Sequence, residues 1–311
     1  MTYLEVDNLK VHFPIKGGIL GRTIDHVKAV DGVSFTLKKG ETYGLVGESG
    51  SGKTTTGRAI IGLNKITEGS VIFNGEDVTH AKGGREDFRK QVQMIFQDPY
   101  SSLNPRKNVY NIIAEPIRNY EDLSKQAERE KIEELMKTVG LSPEGIYKYP
   151  HQFSGGQRQR IGIARAIALS PQFIIADEPV SALDVSVQAQ VLNFMQEIQD
   201  EMNLTYLLIS HDLGVIKHMC DRIGIMYKGR FVEEGTAEEI FTNPQHIYTK
   251  RLVSAIPDLD PKNRAEQVEK RKLVKEEYDK LFDEYFDEEG LAWPLVNITE
   301  THRVALPKRG E

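Results

Sequence analysis

The sequence contains a single cysteine, Cys220, among its 311 residues. One thiol can form neither an intramolecular disulfide nor a multi-cysteine metal site, so a disulfide scaffold is excluded. No run approaches the roughly eighteen apolar residues needed to span a bilayer, so we expect any membrane role to depend on a partner. The first ten residues carry acids in place of the apolar segment of a secretory signal, and we therefore expect no export.

Positive charge is not in excess either. Lys and Arg number 40 against 46 for Asp and Glu, which gives a formal net charge of -6. This balance offers no overall electrostatic reason to expect nucleic acid as a partner, and we predict none. With 39% hydrophobic and 28% charged residues, the composition is that of a soluble globular protein and argues against disorder.

Apolar runs alternate with helical patterns, which predicts an α/β fold with a buried parallel sheet. Residues 42–46, 173–176 and 206–209 are short apolar runs, and the last two each follow a helical stretch. Residues 108–170 are predicted to be helical, with Gly140 as a C-cap. Ligands of open parallel sheets bind at the carboxyl ends of the strands, so the polar residues after each run are candidates for chemistry.

Residues 47–54, with the sequence Gly-Glu-Ser-Gly-Ser-Gly-Lys-Thr, match the phosphate-binding loop. Glycines in such a loop let backbone N–H groups turn inward around phosphates. Lys53 is expected to reach the β and γ phosphates, and the Thr54 hydroxyl to ligate Mg²⁺. A helix predicted to start near Thr54 would direct its dipole toward these anions.

Asp177 and Glu178 close the apolar run at 173–176. An acid pair after a strand is often only a cap, but together with a phosphate loop it predicts catalysis. Asp177 is expected to hold Mg²⁺ through water, and Glu178 to polarise the attacking water. Gln97 and His211 also end apolar runs; we interpret Gln97 as a contact to Mg²⁺ or the attacking water, and His211 as a γ-phosphate sensor.

The segment 153–157, Phe-Ser-Gly-Gly-Gln, precedes a predicted helix from about Gly155 to Leu169. Such a segment can be a simple cap, but it also offers a second set of backbone N–H groups. The predicted helix is roughly 22 Å long, so we expect Ser154 to lie a helix length from Asp177. It would then serve the nucleotide of another molecule, with two chains arranged head to tail around two ATP molecules.

With these motifs in this order, the sequence resembles the ATP-binding cassette (ABC) family over residues 1–257. The resemblance implies a P-loop NTPase of the ABC type, with a RecA-like core, an antiparallel β subdomain, a helical signature subdomain at about 108–170 and a short C-terminal extension at 258–311. It implies ATP and Mg²⁺ as cofactors, and an ATPase activity. One departure from the family pattern is Phe153, where the family usually has Leu.

The resemblance also implies a set of site residues. The catalytic residues are Glu178, His211 and Gln97. The Mg²⁺ contacts are Thr54, Gln97 and Asp177. Phe13 is the candidate for stacking on adenine. The remaining nucleotide contacts are Gly47, Ser49, Gly50, Ser51, Gly52, Lys53, Thr54, Thr55, Ser154, Gly155, Gly156, Gln157 and, in the D-loop at 181–184, Asp184.

Two segments narrow the resemblance to one group within the ABC family. These are residues 97–106 and 243–252, which are similar to the ATPase subunits of oligopeptide and dipeptide importers. Residues 258–261 resemble the F-type oligopeptide subunit. This implies a D-type ATPase partner in a head-to-tail heterodimer, two integral membrane permeases, an extracytoplasmic peptide-binding protein, and a peripheral location on the cytoplasmic face of the membrane. Many relatives hold an iron–sulfur centre near the C-terminus; with Cys220 alone, none is expected here.

Three other functions are alternatives to oligopeptide import. An importer of nickel or another small solute shares both narrowing segments. A soluble ABC protein acting on DNA or ribosomes normally has tandem cassettes or a long coiled coil between the ATP motifs, whereas 124 positions separate Lys53 from Asp177. A non-catalytic cassette would show an altered Glu178, His211 or signature, the family motif at 153–157, and all three are intact here.

The tail carries an amphipathic helical pattern with an aromatic stripe. The stripe consists of Val274, Tyr278, Leu281, Phe282, Tyr285 and Phe286. It is expected to pack on the core of its own chain, and docking on a partner subunit is the alternative.

Overall fold

The computed structural model describes residues 2–17, 22–80, 86–98, 100–257 and 264–307. The chain divides into two compact units. Unit 1 comprises residues 1–3, 37–41 and 80–209, and unit 2 comprises residues 4–36, 42–79 and 210–311. The predicted boundary between 257 and 258 stays a prediction, and residues 258–261 lie outside the described residues.

The strands are β1 (Thr2–Gly17), β2 (Arg22–Lys38), β3 (Thr42–Val46), β4 (Glu68–Phe73), β5 (Glu76–Asp77), β6 (Val92–Ile95), β7 (Phe173–Asp177), β8 (Thr205–Ser210), β9 (Arg222–Tyr227), β10 (Arg230–Thr236), β11 (Val296–Asn297) and β12 (Arg303–Val304). The α-helices are α1 (Lys53–Ile60), α2 (Glu86–Gln91), α3 (Val109–Tyr120), α4 (Lys125–Thr138), α5 (Gly155–Ile167), α6 (Val185–Met202), α7 (Leu213–Met219), α8 (Ala237–Thr242), α9 (Ile247–Ser254) and α10 (Arg264–Tyr285). Within the described ranges, no helix combines the length and apolar character needed to cross a bilayer.

In unit 1, strands β6, β7 and β8 run parallel. Every residue of β7 and β8 is buried, which confirms the two apolar runs predicted as buried strands. Parallel strands are covered on both faces, so their sequences are continuously apolar. The register places Asp177 beside Ile209, so β7 and β8 reach the same edge of the sheet.

The predicted helical segment of unit 1 is confirmed by α3, α4 and α5 and two short 3₁₀ turns. Helix α4 ends in a Schellman motif at Gly140, which has a φ of 66°. The Gly140 N–H donates to the Lys137 carbonyl at 2.8 Å, and the Leu141 N–H to the Met136 carbonyl at 2.8 Å. The predicted C-cap is therefore correct.

Unit 2 contains two sheets. One has the strand order β2-β1-β4-β5, in which β4 pairs antiparallel with β1 and β5. In the other, β3 pairs parallel with β9, and β9, β10, β12 and β11 follow in antiparallel succession. All five residues of β3 are buried, which confirms the apolar run at 42–46 as a strand.

Two consecutive buried glutamates of β10 hold the C-terminal strands of unit 2. Glu233 accepts hydrogen bonds from the backbone N–H groups of Gln245 (2.8 Å) and His246 (2.9 Å), and His302 Nε2 lies 2.7 Å from its carboxylate. Glu234 pairs with Arg222, Arg303 and the hydroxyl of Tyr43. Buried carboxylates persist only when their oxygens are satisfied in this way, so β10 fixes the position of the later C-terminal segments.

The aromatic stripe of the tail packs on unit 2, as predicted. Tyr278 and Phe286 are 7% and 2% exposed. The Phe286 ring lies 4.5 Å from Phe282 and 4.9 Å from Tyr227, measured between centroids. Helix α10 ends at Tyr285, one residue before Phe286. This aromatic cluster joins the tail helix to β9 and α9.

His246 caps α9 from a buried position. Its Nδ1 accepts a hydrogen bond from the Tyr248 N–H at 3.1 Å, and the side chain is 0% exposed. Burial lowers the pKa of His246 from 6.5 to about 3. The neutral ring is required here because a protonated Nδ1 cannot accept the capping hydrogen bond.

We predict that His246→Asn makes stability less sensitive to acid. Because the folded pKa is depressed, the contribution of His246 is present above pH 6.5 and is lost as pH falls toward 3. Between about pH 7.5 and pH 5 the loss amounts to about 2 kcal/mol, which Asn, a non-titrating cap, would not incur. Urea unfolding of the wild type and the variant at both pH values measures this loss of stability. His26→Asn, at an exposed position, should match the wild type; equal losses in all three proteins would contradict the prediction.

Candidate functional site

The phosphate loop lies in unit 2, between the end of β3 at Val46 and the start of α1 at Lys53. The helix begins one residue earlier than predicted. Gly52 is its N-cap, with a φ of 105°, and accepts a hydrogen bond from the Thr56 N–H at 2.9 Å. A Cβ at Gly52 would stand 2.3 Å from the Ala29 carbonyl oxygen, so only glycine fits there.

Lys53 is directed into the loop. Its side chain is 5% exposed, and Nζ donates to the carbonyls of Gly47 at 2.7 Å and Glu48 at 2.9 Å. Ser51 Oγ is also buried and has no hydrogen-bond partner among the residues that the structure describes. A buried hydroxyl of this kind calls for an explanation, and a polar ligand in the loop supplies one. The loop therefore fits a phosphate group.

The predicted residues Ser49, Gly50, Thr54 and Thr55 belong to the same loop and the first turn of α1, where Ser49 and Gly50 are exposed and the two threonines half-buried. His211, also in unit 2, is exposed and lies two residues before the start of α7. The Asp212 side chain caps that helix by accepting from the Gly214 N–H at 2.7 Å.

Phe13 lies on β1 and is 42% exposed. Its ring is therefore accessible, as stacking on a base requires. Part of the neighbouring segment, residues 18–21, lies outside the described residues. The role of Phe13 stays a prediction.

In unit 1, Asp177 is 1% exposed at the end of β7. Glu178 comes next with a φ of 46°, a conformation that is unusual for a residue other than glycine and that often marks functional sites. Its N–H donates to the Ile209 carbonyl at 2.9 Å. Gln97 Nε2 donates to Glu178 Oε2 at 2.7 Å, so the structure brings these two predicted catalytic residues together.

The signature segment forms a capping box at the start of α5. Ser154 Oγ accepts from the Gln157 N–H at 3.3 Å, and Gln157 Oε1 accepts from the Ser154 N–H at 3.0 Å. Gly156 is tightly packed, because a Cβ there would lie 2.3 Å from Val187 Cγ1. The cap and the close packing fix the orientation of the turn.

The expected separation of Ser154 from Asp177 by a helix length stays a prediction. A Cβ at Gly155 would lie 3.3 Å from Leu183 Cδ2, so the signature turn is packed beside the D-loop. Two consecutive turns after β7 bring the D-loop there: the Ser181 N–H donates to the Glu178 carbonyl and the Leu183 N–H to the Val180 carbonyl. The head-to-tail arrangement inferred from that separation also stays a prediction.

Asp184 comes directly after Leu183 as the N-cap of α6 and is exposed. Its side chain makes no capping hydrogen bond within the described part of the chain. The carboxylate is therefore available at the surface next to the signature turn.

Two residues outside the predicted set contact the phosphate loop. The Tyr248 hydroxyl accepts from the Glu48 N–H at 3.1 Å, and Arg251 Nη2 lies 2.6 Å from Glu48 Oε1. These pairs are 200 and 203 positions apart in the sequence, and no local pattern signals such a contact. The sequence offered one indirect signal, since both residues belong to segment 243–252.

Comparison with known proteins places this arrangement in a family. Residues 30–181 match the family model described as ABC transporter, and residues 232–283 match the oligopeptide/dipeptide transporter C-terminal region. The oligopeptide transport ATP-binding protein OppF of Lactococcus lactis is 54% identical over 99% of this chain and 97% of its own length. The chain belongs to the ABC transporter ATP-binding proteins.

Other members of this ABC family show the same likeness. OppF of Escherichia coli is 52% identical over 87% of this chain and 81% of its own length. The dipeptide transport ATP-binding protein DppF of Haemophilus influenzae is 49% identical over 85% of this chain and 81% of its own length. The predicted membership of the oligopeptide/dipeptide group is confirmed.

Solved structures confirm the predicted ABC-type fold. A dimeric ATP-binding cassette in a post-hydrolysis state, bound to ADP and Pi, aligns with a TM-score of 0.67 at 26% identity, covering 75% of this chain and 98% of the cassette. The cassette cbiO1 from Clostridium perfringens aligns with a TM-score of 0.70, covering 86% of this chain and 100% of cbiO1. Its sequence identity is 24%, so this likeness supports the fold alone.

We predict different costs for alanine at two glycines of the phosphate loop. A Cβ at Gly50 (φ 82°) would have no atom within 4 Å, so Gly50→Ala carries only the left-handed backbone penalty of about 1 kcal/mol. Gly52→Ala adds a clash with the Ala29 carbonyl, for a total of about 3 kcal/mol. Urea unfolding of both variants measures the difference. Equal destabilisation would show that the backbone around Gly52 relaxes freely.

Proposed function

We propose that this protein binds and hydrolyses ATP to power the import of oligopeptides through an ABC transporter. The observation that carries the proposal is the 54% identity to an oligopeptide transport ATP-binding protein over 99% of this chain. That identity extends through the C-terminal region matched at 232–283. The OppF and DppF relatives are named for oligopeptides or dipeptides, which favours peptides over nickel or another small solute.

In the phosphate loop, Lys53 binds the β and γ phosphates and the inward backbone N–H groups hold the remaining oxygens. The fit is supported by the buried ammonium of Lys53 and by Ser51 Oγ, whose hydroxyl has no other partner among the described residues. Thr54, Asp177 and Gln97 would hold Mg²⁺. When bound, this ion neutralises charge that develops on the transferred phosphoryl group.

Glu178 polarises the attacking water. The amide of Gln97 donates to the Glu178 carboxylate at 2.7 Å, which orients the acceptor oxygen before water arrives. His211 contacts the γ phosphate, and Phe13 stacks on adenine. Each of these roles meets a need of phosphoryl transfer: a positioned substrate, a positioned nucleophile and stabilised charge.

The remaining site residues act on a second nucleotide, bound by a partner ATPase. The turn from Ser154 to Gln157 presents the N-terminus of α5, where backbone N–H groups favour phosphate oxygens, and Asp184 lies next to it on the surface. The partner in this proposal is a D-type subunit in a head-to-tail heterodimer.

The heterodimer works with two integral membrane permeases and an extracytoplasmic peptide-binding protein, at the cytoplasmic face of the membrane. No iron–sulfur cluster is expected in this subunit. Its one thiol, Cys220, is buried, and burial raises the Cys220 pKa well above its usual range, which opposes metal ligation.

The first test combines hydrolysis with transport. Glu178→Gln keeps the size and hydrogen bonding of the side chain but cannot accept the proton of the attacking water, so turnover of the assembled transporter should fall at least about 100-fold. ATP binding should persist. In a deletion strain, the wild-type gene should restore uptake of a labelled oligopeptide and Glu178→Gln should not.

Glu130→Gln on the exposed face of α4 is the matched control and should leave uptake unchanged. Near-normal turnover of Glu178→Gln would remove Glu178 from its role. Restored nickel uptake without restored peptide uptake would overturn the proposed substrate.

The second test asks whose nucleotide the signature serves. Ser154→Arg puts a bulky side chain into the turn, and ATP binding by the isolated subunit should remain normal because the phosphate loop is unchanged. In the complete transporter, an azido-ATP analogue under trapping conditions should no longer label the partner subunit. Loss of labelling confined to this chain would mean that its signature serves its own nucleotide.

Ser154 also caps α5, so the substitution removes a cap worth about 1 kcal/mol. Ser154→Ala is the control for this loss, because it removes the hydroxyl without adding bulk. Labelling of the partner should be reduced far more by Arg than by Ala.

A further inference from the structure

Glu48, the second residue of the phosphate loop, is held by its backbone and by its side chain. Its N–H donates to the Tyr248 hydroxyl at 3.1 Å, its carbonyl accepts from Lys53 Nζ at 2.9 Å, and its carboxylate pairs with Arg251 at 2.6 Å. Two of these three contacts come from α9. The loop is thus tied to an element far from it in sequence.

Helix α9 holds both contacting side chains against aromatic rings. Tyr248 is 0% exposed, and its ring centroid lies 4.8 Å from that of Tyr227. The Arg251 guanidinium lies 4.4 Å from the ring centroid of Tyr278 on α10 and 5.2 Å from that of Tyr248. Side chains fixed by packing lose little freedom when they bind a partner group, so they can position the loop.

The ion pair also has an electrostatic consequence. Glu48 places a carboxylate on a loop that receives a triphosphate, and like charges at short range repel. Arg251 neutralises this carboxylate in place. Without Arg251, the negative charge of Glu48 would oppose ATP binding.

Lys53 makes the support from α9 necessary. Its ammonium donates to the carbonyls of Gly47 and Glu48. If Lys53 turns toward the phosphates of bound ATP, those two hydrogen bonds weaken. The loop must then keep its shape by other means. Tyr248 and Arg251 bond to atoms of Glu48 that Lys53 does not use, so they can hold the loop throughout.

We propose that Tyr248 and Arg251 are positioning residues that hold the phosphate loop through Glu48 and offset the charge of its carboxylate. Segment 243–252, which marks the oligopeptide and dipeptide group, thereby gains a role at the nucleotide site. The inference rests on the proposed function, since ATP is the ligand that the loop is positioned to bind.

The test is ATP binding by the full isolated chain, measured with a fluorescent ATP analogue. Arg251→Met should raise Kd about three- to tenfold, because one partly exposed ion pair and one uncompensated charge are involved. Lys250→Met is the matched control. Lys250 also lies on α9, but its ammonium pairs with Glu277 of α10 at 2.9 Å and not with Glu48, so Kd should stay unchanged.

The double variant Glu48→Gln/Arg251→Met separates a positioning role from a merely structural one. Removing the carboxylate removes the repulsion, so Kd should return most of the way to the wild-type value. Tyr248→Phe, which keeps the ring and loses the acceptor, should also raise Kd without changing thermal unfolding in the absence of nucleotide. In the assembled transporter, Arg251→Met should raise KM for ATP and leave kcat nearly unchanged.

The inference is overturned if Arg251→Met and Tyr248→Phe bind ATP as the wild type does, or if Lys250→Met loses as much affinity as Arg251→Met. It is also overturned if the double variant Glu48→Gln/Arg251→Met binds ATP no more tightly than Arg251→Met alone. Lys53→Ala, measured alongside, shows that the probe reports on the loop. Failure of the wild type to bind ATP would overturn the proposed function itself, whereas normal wild-type binding with unaffected variants would overturn this inference alone.

Discussion

Backbone closely surrounds the phosphate loop at two of its glycines. A Cβ at Gly47 would lie 2.2 Å from the Met226 carbonyl oxygen, and one at Gly52 would lie 2.3 Å from that of Ala29. The loop can turn its N–H groups inward only because no side chain stands at these positions. Strand β9, which contributes Met226, therefore has to stay in register with β3, and the packing of unit 2 serves that requirement.

Buried charged side chains join the C-terminal part of unit 2 to the strands that surround the phosphate loop. Glu233 and Glu234 sit on β10, and each carboxylate is satisfied by groups that come later in the chain or from β3 and β9. Removing the partners of either carboxylate would leave a buried charge unpaired and would lower the free energy of unfolding by several kcal/mol. These contacts fix the start of α9, and α9 in turn reaches the phosphate loop through Tyr248 and Arg251.

In unit 1 the same residues serve local structure and the proposed chemistry. Ser154 caps α5 through its hydroxyl, yet the N-terminus that it caps is the group of N–H donors proposed for a partner's nucleotide. Gln97 and Glu178 satisfy each other at 2.7 Å in a place where water is proposed to be activated. A hydrogen bond that orients a carboxylate before its substrate arrives is a form of preorganisation.

The sequence by itself determined the features that depend on short-range physics. The strand–loop–helix around Lys53, the buried strands β3, β7 and β8, the Gly140 cap and the amphipathic tail helix all arise from patterns within a few residues, and the structure confirms them. The motifs were sufficient for the family because their chemistry fixes both residue type and spacing.

Only the tertiary structure decided which distant groups meet. Tyr248 and Glu48 are 200 positions apart, and a helical period predicts which face of α9 is apolar but not which loop lies opposite. The contact between the signature turn and Leu183 is a second example, because it depends on the two turns after β7 and not on any pattern within α5. Local patterns record the chain's own geometry, whereas such contacts depend on how separate elements pack, and that is settled by the shape and charge of surfaces formed only after folding.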